Sequence, residues 1–569
     1  MQQVLKHFYF HFYTSMNKNK TIFLFLLVLI AVNVIQSCFT GLLNDEAYYW
    51  LWSKHLAWGY FDHPPMIALF IAIGDSLFHH ETGVRLLSIL ANAATVYLLF
   101  RIINPVNQKL FYVILISITP LLGASFFAVP DIPLLFFTAC FYLVYKKYSE
   151  DESLSLSLLL GLCMALMLYS KYQGVLVIFF VLLSDFSLLK RKSFYIACIT
   201  GAVLFAPHLW WQWQNDFVTF RFQLFERVPE LYSPLRIADY IGGQLLLAGI
   251  PTGLILLYSV FKQKMENKFQ RALQFQLWGT YLFFLLASFK GRTEANWTIA
   301  SIVPLTVLSY RFLENNSKLS GWLYKLLPIS LLMILAIRIH YGTDLTKFFL
   351  GIPTETQHWN EWADSISTYA GDRPVVFLSS YQKASKYSFY SGKTAFTTTE
   401  VQMRKSQYNL LNSEEDLQNK QVYVCTNWGL VPTHSFNQHH IITPVAECDG
   451  FVADSFLSWD KISIQPLLNS FEAKRGETIS IPMKVTSPYS NQPKPNEHSR
   501  LTYRFYGRDR LKMGDKETGV LLFDALDKGK IVMKVQVPDI TGRYQVFISA
   551  TQDNYPPPIN SPAVIVEVK

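Results

Sequence analysis

Residues 43–65 read LNDEAYYWLWSKHLAWGYFDHPP and follow, almost without a break, the apolar run from Thr21 to Phe39. About 17 to 25 apolar residues suffice to cross a bilayer. No small-residue cleavage site follows this run, so it is expected to remain as a first transmembrane helix rather than a removed signal. The chain that emerges places Asp45, Glu46, Asp62 and His63 among Tyr48, Tyr49, Trp50, Trp58 and Tyr60. What those charges can do depends on which face of the membrane they occupy.

Composition frames that question. Of 569 residues, 51% are hydrophobic and only 16% charged, with a mean hydropathy of +0.20. Soluble domains carry about a quarter charged residues, so a soluble enzyme is excluded. The net charge of +9 comes from short Lys/Arg clusters between apolar runs, not from one basic face, which argues against a nucleic-acid partner and for cytoplasmic loops. Apolar windows predict about eleven spans, near 20–39, 84–103, 109–128, 131–146, 153–169, 172–189, 194–212, 236–261, 269–289, 295–313 and 321–340. With the N-terminus in the cytoplasm, Lys18, Lys20, Arg101, Lys109, Lys146, Lys147, Lys190–Lys192, Lys262, Lys264, Lys268, Arg271, Arg311 and Lys318 all fall inside.

The opening stretch then belongs to an extracytoplasmic loop, 40–83. Its segments EAYYWLWSKHLAW and MIALFIAIGDSLF read as amphipathic helices of the interface, where Trp and Tyr are favoured. The same threading puts Asp131 in AVPDIPL, Lys171 in YSKYQG, and Lys290, Arg292 and Glu294 in FKGRTEANW on that outer face. Snorkelling explains a basic residue at any one helix end. Basic residues at several outer mouths, facing several acids, favour a shared anionic ligand.

After residue 342 the pattern becomes soluble and, by the odd span count, extracytoplasmic. RPVVFLSSYQKASKYSFYSG and QVYVCTNWG read as strand, helix and strand of a small α/β domain over 343–464. The alternation in ETISIPMKVTS, GKIVMKVQVP and GRYQVFISAT predicts a β-sandwich resembling immunoglobulin-like modules over 465–569. Residues 1–342 form the transmembrane domain. Cys425 and Cys448 could pair only in an oxidising compartment, and no Cys/His spacing suggests zinc.

An outer-face site has no nucleotide to hand, so an activated group must arrive on a lipid. A sugar on a polyprenyl phosphate fits, with its tail in the bilayer and its phosphate at the interface. Transfer needs a carboxylate to take the acceptor proton, cations for the departing phosphate and rings to hold the sugar. Asp45 or Glu46 can supply the base. His63, Lys171, Lys290 and Arg292 are candidate phosphate ligands, and Tyr48, Tyr49 and Tyr60 candidate rings.

The run NDEAYYWLWSKHLAWGYFDHPPMIALFIAIGDSLFHHETGVRLLSIL resembles the first outer loop of the protein O-mannosyltransferase superfamily, whose bacterial members include aminoarabinose transferases acting on lipid A. The shared pattern is an acidic pair after the first helix, an aromatic segment, a Y-F-[DE]-[KH]-P element and an Arg-Leu near the second span; VPDIPLLFF and SKYQG resemble later family elements. The resemblance implies the GT-C fold, an inverting displacement and a polyprenyl-phosphate sugar donor. It places the catalytic acid on Asp45 with Glu46 beside it, and a second pocket acid on Asp131, with Asp62 in the Y-F-[DE]-[KH]-P element. The position of His63 is a lysine in the aminoarabinose transferases. Histidine is charged only part of the time near neutral pH, which shifts the phosphate role toward Lys171, Lys290 and Arg292.

The acceptor class, whether lipid A, a protein hydroxyl or another envelope glycan, stays open. Acids beside a histidine can hold a divalent ion, but a monophosphate leaving group ringed by Lys and Arg requires none, so no cofactor is expected. A transporter or flippase of a lipid-linked glycan is the alternative. It would keep charges near the midplane and show repeated halves, whereas here the charges gather at outer mouths.

Overall fold

A computed structural model describes residues 2–226, 233–352, 354–400, 404–426, 438–489, 493–507, 512–553 and 555–569. The chain divides into two compact units, Met1–Gln357 and His358–Lys569. The first is helical: α1 (Gln2–Cys38), α2 (Asn44–Ser53), α3 (Met66–Leu77), α4 (Glu81–Ile103), α5 (Gln108–Ser117), α6 (Thr119–Leu122), α7 (Asp131–Glu150), α8 (Leu154–Ser170), α9 (Gly174–Ser184), α10 (Lys192–Gln214), α11 (Val218–Arg221), α12 (Pro234–Ala248), α13 (Gly253–Lys262), α14 (Lys268–Ser288), α15 (Ile302–Glu314), α16 (Ser317–Gly342) and α17 (Leu345–Leu350).

Helix occupies all eleven expected windows, but unevenly. Asn19–Cys38, α4, α10 and α16 have the length and apolarity of full spans. The window 236–261 is two helices, α12 and α13, bent by 92°. Gly249 sits at the break with φ +102°, and a Cβ there would strike the Ser117 carbonyl, so the bend requires glycine. Window 109–128 breaks between α5 and α6, where Pro120 falls in the first turn of the new helix. The two interfacial segments of the first loop are helices, α2 and α3. The mainly α architecture with a β-rich C-terminal part matches the expected fold class.

The bundle core is aliphatic and aromatic, with Leu99, Ile114, Leu134, Tyr142, Met167, Leu277, Leu305 and Leu308 all buried. α8 packs against both α7 and α10. At Gly161 a Cβ would collide with the Ala197 carbonyl, so the absent side chain is what lets α8 and α10 approach. The first unit runs past residue 342 because the return segment is stitched to the start of the loop: Gly41 N–H donates to the Thr356 carbonyl (2.9 Å) and Asn44 N–H to Glu355 Oε1 (2.5 Å).

The second unit has a five-stranded mixed sheet and a two-sheet sandwich. α18 (Trp359–Ala370) precedes β1 (Val375–Leu378), α19 (Tyr381–Ser391), β2 (Ala395–Thr398), β3 (Val422–Thr426), β4 (His439–Ile442) and β5 (Glu447–Ala453), in sheet order β2-β1-β3-β5-β4 with β1 parallel to both neighbours. Of the strand expected over 421–429, residues 427–429 lie outside the described residues. Then follow β6 (Ser463–Pro466), β7 (Ser470–Ala473), β8 (Thr478–Thr486), β9 (Ser499–Tyr506), β10 (Lys512–Leu521), α20 (Leu522–Lys528), β11 (Lys530–Gln536), β12 (Gly542–Gln552) and β13 (Val564–Val568). The sheets β10-β9-β12-β13-β7 and β11-β8-β6 enclose one core, in which alternate residues Ile479, Ile481, Met483 and Val485 of β8 face Val546, Ile548 and Ala550 of β12. Cys425 and Cys448 are buried free thiols.

Candidate active site

The site begins at the first turn of α2, where Asp45 and Glu46 complement the positive end of the helix. Their fates differ. Asp45 is exposed, whereas Glu46 is fully buried. Arg85, also fully buried, donates from Nε to Glu46 Oε1 (2.8 Å) and from NH2 to Oε2 (2.5 Å). Leu43 N–H and Ala128 N–H add to the same carboxylate at 2.9 and 2.7 Å. The guanidinium continues to the carbonyls of Thr40 and Gly41 and lies beside the rings of Phe126 and Phe127. Glu46 thus ties together the exit from α1, the start of α2, α4 and the segment leading into α7. Both oxygens of Glu46, expected beside Asp45 as part of the catalytic pair, are engaged inside the protein.

The hydrogen bond from Ala128 to Glu46 ties the segment leading into α7 to the first turn of α2. Asp131, in the first turn of α7 and buried, accepts from Lys171 Nζ at Oδ1 (2.9 Å) and from Asn296 Nδ2 at Oδ2 (3.1 Å). Lys171 is the C-cap of α8, where a cation opposes the negative helix end. The acid of one expected motif, the lysine of a second and the TEANW stretch therefore meet. Lys171, expected as a phosphate ligand, is buried at 3% exposure in an ion pair with Asp131. Lys290 and Arg292 are not gathered into this cluster. Both are exposed, and Arg292 pairs with Glu294 (2.9 Å).

The aromatic loop is largely self-packed. Tyr60 stacks on Trp52 with centroids 4.6 Å apart and planes 9° from parallel. Its hydroxyl donates to the Trp52 carbonyl (3.1 Å) and accepts from Ala57 N–H (3.1 Å). Burial pushes its phenol up to about 12, only partly offset by the Ala57 N–H. Tyr60, expected as a substrate-contacting ring, is buried and braces the loop through these contacts. Tyr48 and Tyr49 are buried on α2 against Trp52. His63 is half-buried, 6.0 Å from the Tyr49 ring, and Asp62 is buried with its carbonyl accepting from Gln223 Nε2 (2.9 Å).

A second polar chain was not anticipated. His208 Nδ1 lies 2.6 Å from the Trp58 carbonyl, which can only accept, so Nδ1 carries the proton and Nε2 accepts from the Tyr172 hydroxyl (2.8 Å). Gln212 Nε2 donates to Thr219 Oγ1 (2.6 Å), which donates to the Tyr60 carbonyl (2.7 Å). α10 and α11 thereby hold the loop carrying His63. The only hint in the sequence is His208 and Gln212 at i, i+4 inside an apolar run. Among the described residues, no group of three or more His, Cys, Asp or Glu gathers as a metal site.

Comparison with known proteins places this geometry. Residues 62–211 match the family model described as dolichyl-phosphate-mannose-protein mannosyltransferase. The chain is 26% identical over 359 residues, 59% of its length and 75% of the relative's, to the lipid A galacturonosyltransferase RgtD of Rhizobium johnstonii. Its fold is similar to that of ArnT from Cupriavidus metallidurans, solved with undecaprenyl phosphate, with a TM-score of 0.57, 13% identity and coverage of 76% of this chain and 98% of that one. The loop motifs, the helical bundle and these matches make the chain similar to multi-pass membrane glycosyltransferases of the GT-C type, among them transferases that modify lipid A.

Proposed function

We propose that the protein transfers a sugar from a polyprenyl-phosphate donor to a lipid A-like acceptor on the extracytoplasmic face of a bacterial inner membrane, with Asp45 as general base. The observation that carries this reading is the contrast within the acidic pair: Glu46 is locked to Arg85, and Asp45 beside it is exposed. Asp45 takes the proton of the acceptor hydroxyl. The acceptor oxygen bonds to the anomeric carbon as the bond from that carbon to the phosphate oxygen breaks, and the polyprenyl phosphate leaves with the electron pair, inverting the centre. The candidate cations are Lys171, held by Asp131, the exposed Lys290 and Arg292, and His63 when protonated. Stabilising the departing phosphate is the task that rewards them. The extracytoplasmic placement rests on the distribution of Lys and Arg, and the donor and acceptor classes on the likeness to RgtD and ArnT. The test is sugar transfer by purified protein from a panel of undecaprenyl-phosphate sugars, including galacturonic acid and aminoarabinose, onto lipid A. Transfer from no member of the panel rejects the reading.

A further inference from the structure

The opposite end of the bundle holds a basic cavity of about 520 Å³. It is bounded by the C-terminal ends of α4, α7, α13 and α15 and by the links that lead into α14 and α16. α4 and α7 begin beside Arg85 and Asp131 and end at this cavity, so it lies a helix length, about 30 Å, from the acidic site. The distribution of Lys and Arg assigns this end to the cytoplasm.

Its charge is unequal. Lys146, Lys262, Lys264 and Arg311 line it against Glu266 and Glu314. Both acids have partners: Glu266 accepts from Gln270 (3.4 Å), and Glu314 from the Tyr310 hydroxyl (2.7 Å), with Arg311 at 3.9 Å. The two most interior cations are fixed. Lys146 Nζ donates to the Ile102 carbonyl (3.0 Å) and Arg311 NH2 to the Ile103 carbonyl (2.8 Å), which leaves further N–H groups on each. Asn267 and Asn316, the N-caps of α14 and α16, also line the cavity, bringing the positive ends of two long helices to it. Beside it, Lys262 Nζ lies over the exposed rings of Tyr258 and Phe261, at 5.7 and 5.6 Å, on an apolar flank of α13.

We propose that this cavity binds a phosphate ester, distinct from the donor and acceptor of the transfer reaction. Basic pockets between helices at the cytoplasmic side suit anionic lipid headgroups, and the apolar flank would take acyl chains; a soluble phosphate compound would meet the same donors. The test uses full-length protein and the double variant Lys262→Gln/Lys264→Gln, both side chains being exposed and remote from the transfer site. Native mass spectrometry after reconstitution in phosphatidylethanolamine with phosphatidylglycerol reads lipid retention, and thermal shift in detergent with inorganic phosphate or pyrophosphate reads a soluble ligand. Preferential retention of phosphatidylglycerol, weakened roughly fivefold for each cation removed and restored by Lys262→Arg/Lys264→Arg, supports a lipid. Stabilisation by phosphate or pyrophosphate that the Gln variant loses, without lipid preference, supports a soluble ester. No preference in either arm, or a Gln variant that binds as the wild type does, overturns the proposal and leaves these cations as determinants of membrane orientation alone.

Discussion

Arg85 lays its guanidinium across both carboxylate oxygens of Glu46, at 2.8 and 2.5 Å, with both side chains fully buried. Removing one member of such a pair strands a charge and costs about 3–5 kcal/mol. Arg85→Ala and Glu46→Ala are each expected to lose most folded protein, and Arg85→Lys to rescue little, because an ammonium cannot reproduce the two-point fork. Fluorescence-detected size exclusion after a heat step measures this.

Asp131 and Lys171 form the second buried pair. A double-mutant cycle with Asp131→Asn and Lys171→Met is expected to show coupling above about 1 kcal/mol in thermal stability, the double variant being less harmful than the sum of the singles. Asn296→Ala should cost about 1.5–3 kcal/mol, the usual worth of a hydrogen bond to a charged group.

Thr219→Val removes the hydroxyl between Gln212 and the Tyr60 carbonyl. Leaving those groups unsatisfied costs about 1–3 kcal/mol. Hydrogen exchange across residues 57–63 should accelerate while exchange in α8 stays unchanged.

The second unit carries a pH dependence. Glu414 is pushed up to about 8 and Asp460 to about 6, chiefly by burial; for Glu414 the neighbouring Asp460 carboxylate adds to it. The folded unit therefore holds protons that the unfolded chain, ionising near 4.5 and 3.8, releases. Stability is greatest below the unfolded values and declines as pH rises through the folded ones, by up to about 1.4 kcal/mol per pH unit for each proton. Hydrogen exchange of β3 and β8 in the full-length protein between pH 5 and 9 should follow that slope, and Glu414→Gln should flatten it.

What could be read from the sequence, and what could not, divides along physical lines. Apolar windows and the acids after the first span depend on neighbouring residues, and they located the helices, the loop and the exposed Asp45. The α12–α13 bend at Gly249, by contrast, depends on how closely Ser117 approaches, which hydropathy does not encode. Arg85 lay inside the quoted Arg-Leu pattern, yet its partner is 39 residues away, and nothing local distinguishes the locked Glu46 from the exposed Asp45. Tyr60 looked like a sugar platform because a ring that stacks on Trp52 has the same composition as one that stacks on substrate. Asn296 sat within TEANW without charge to mark it, and its meeting with Asp131 arises only from the packing of the turn before α15 against α7.

The most direct test of the central claim is single-turnover sugar transfer by purified Asp45→Asn protein on undecaprenyl-phosphate sugar and lipid A, compared with wild type of equal thermal stability. Loss of the base should slow transfer about 10²- to 10⁴-fold, with donor binding retained. Near wild-type transfer by that variant would contradict Asp45 as the base.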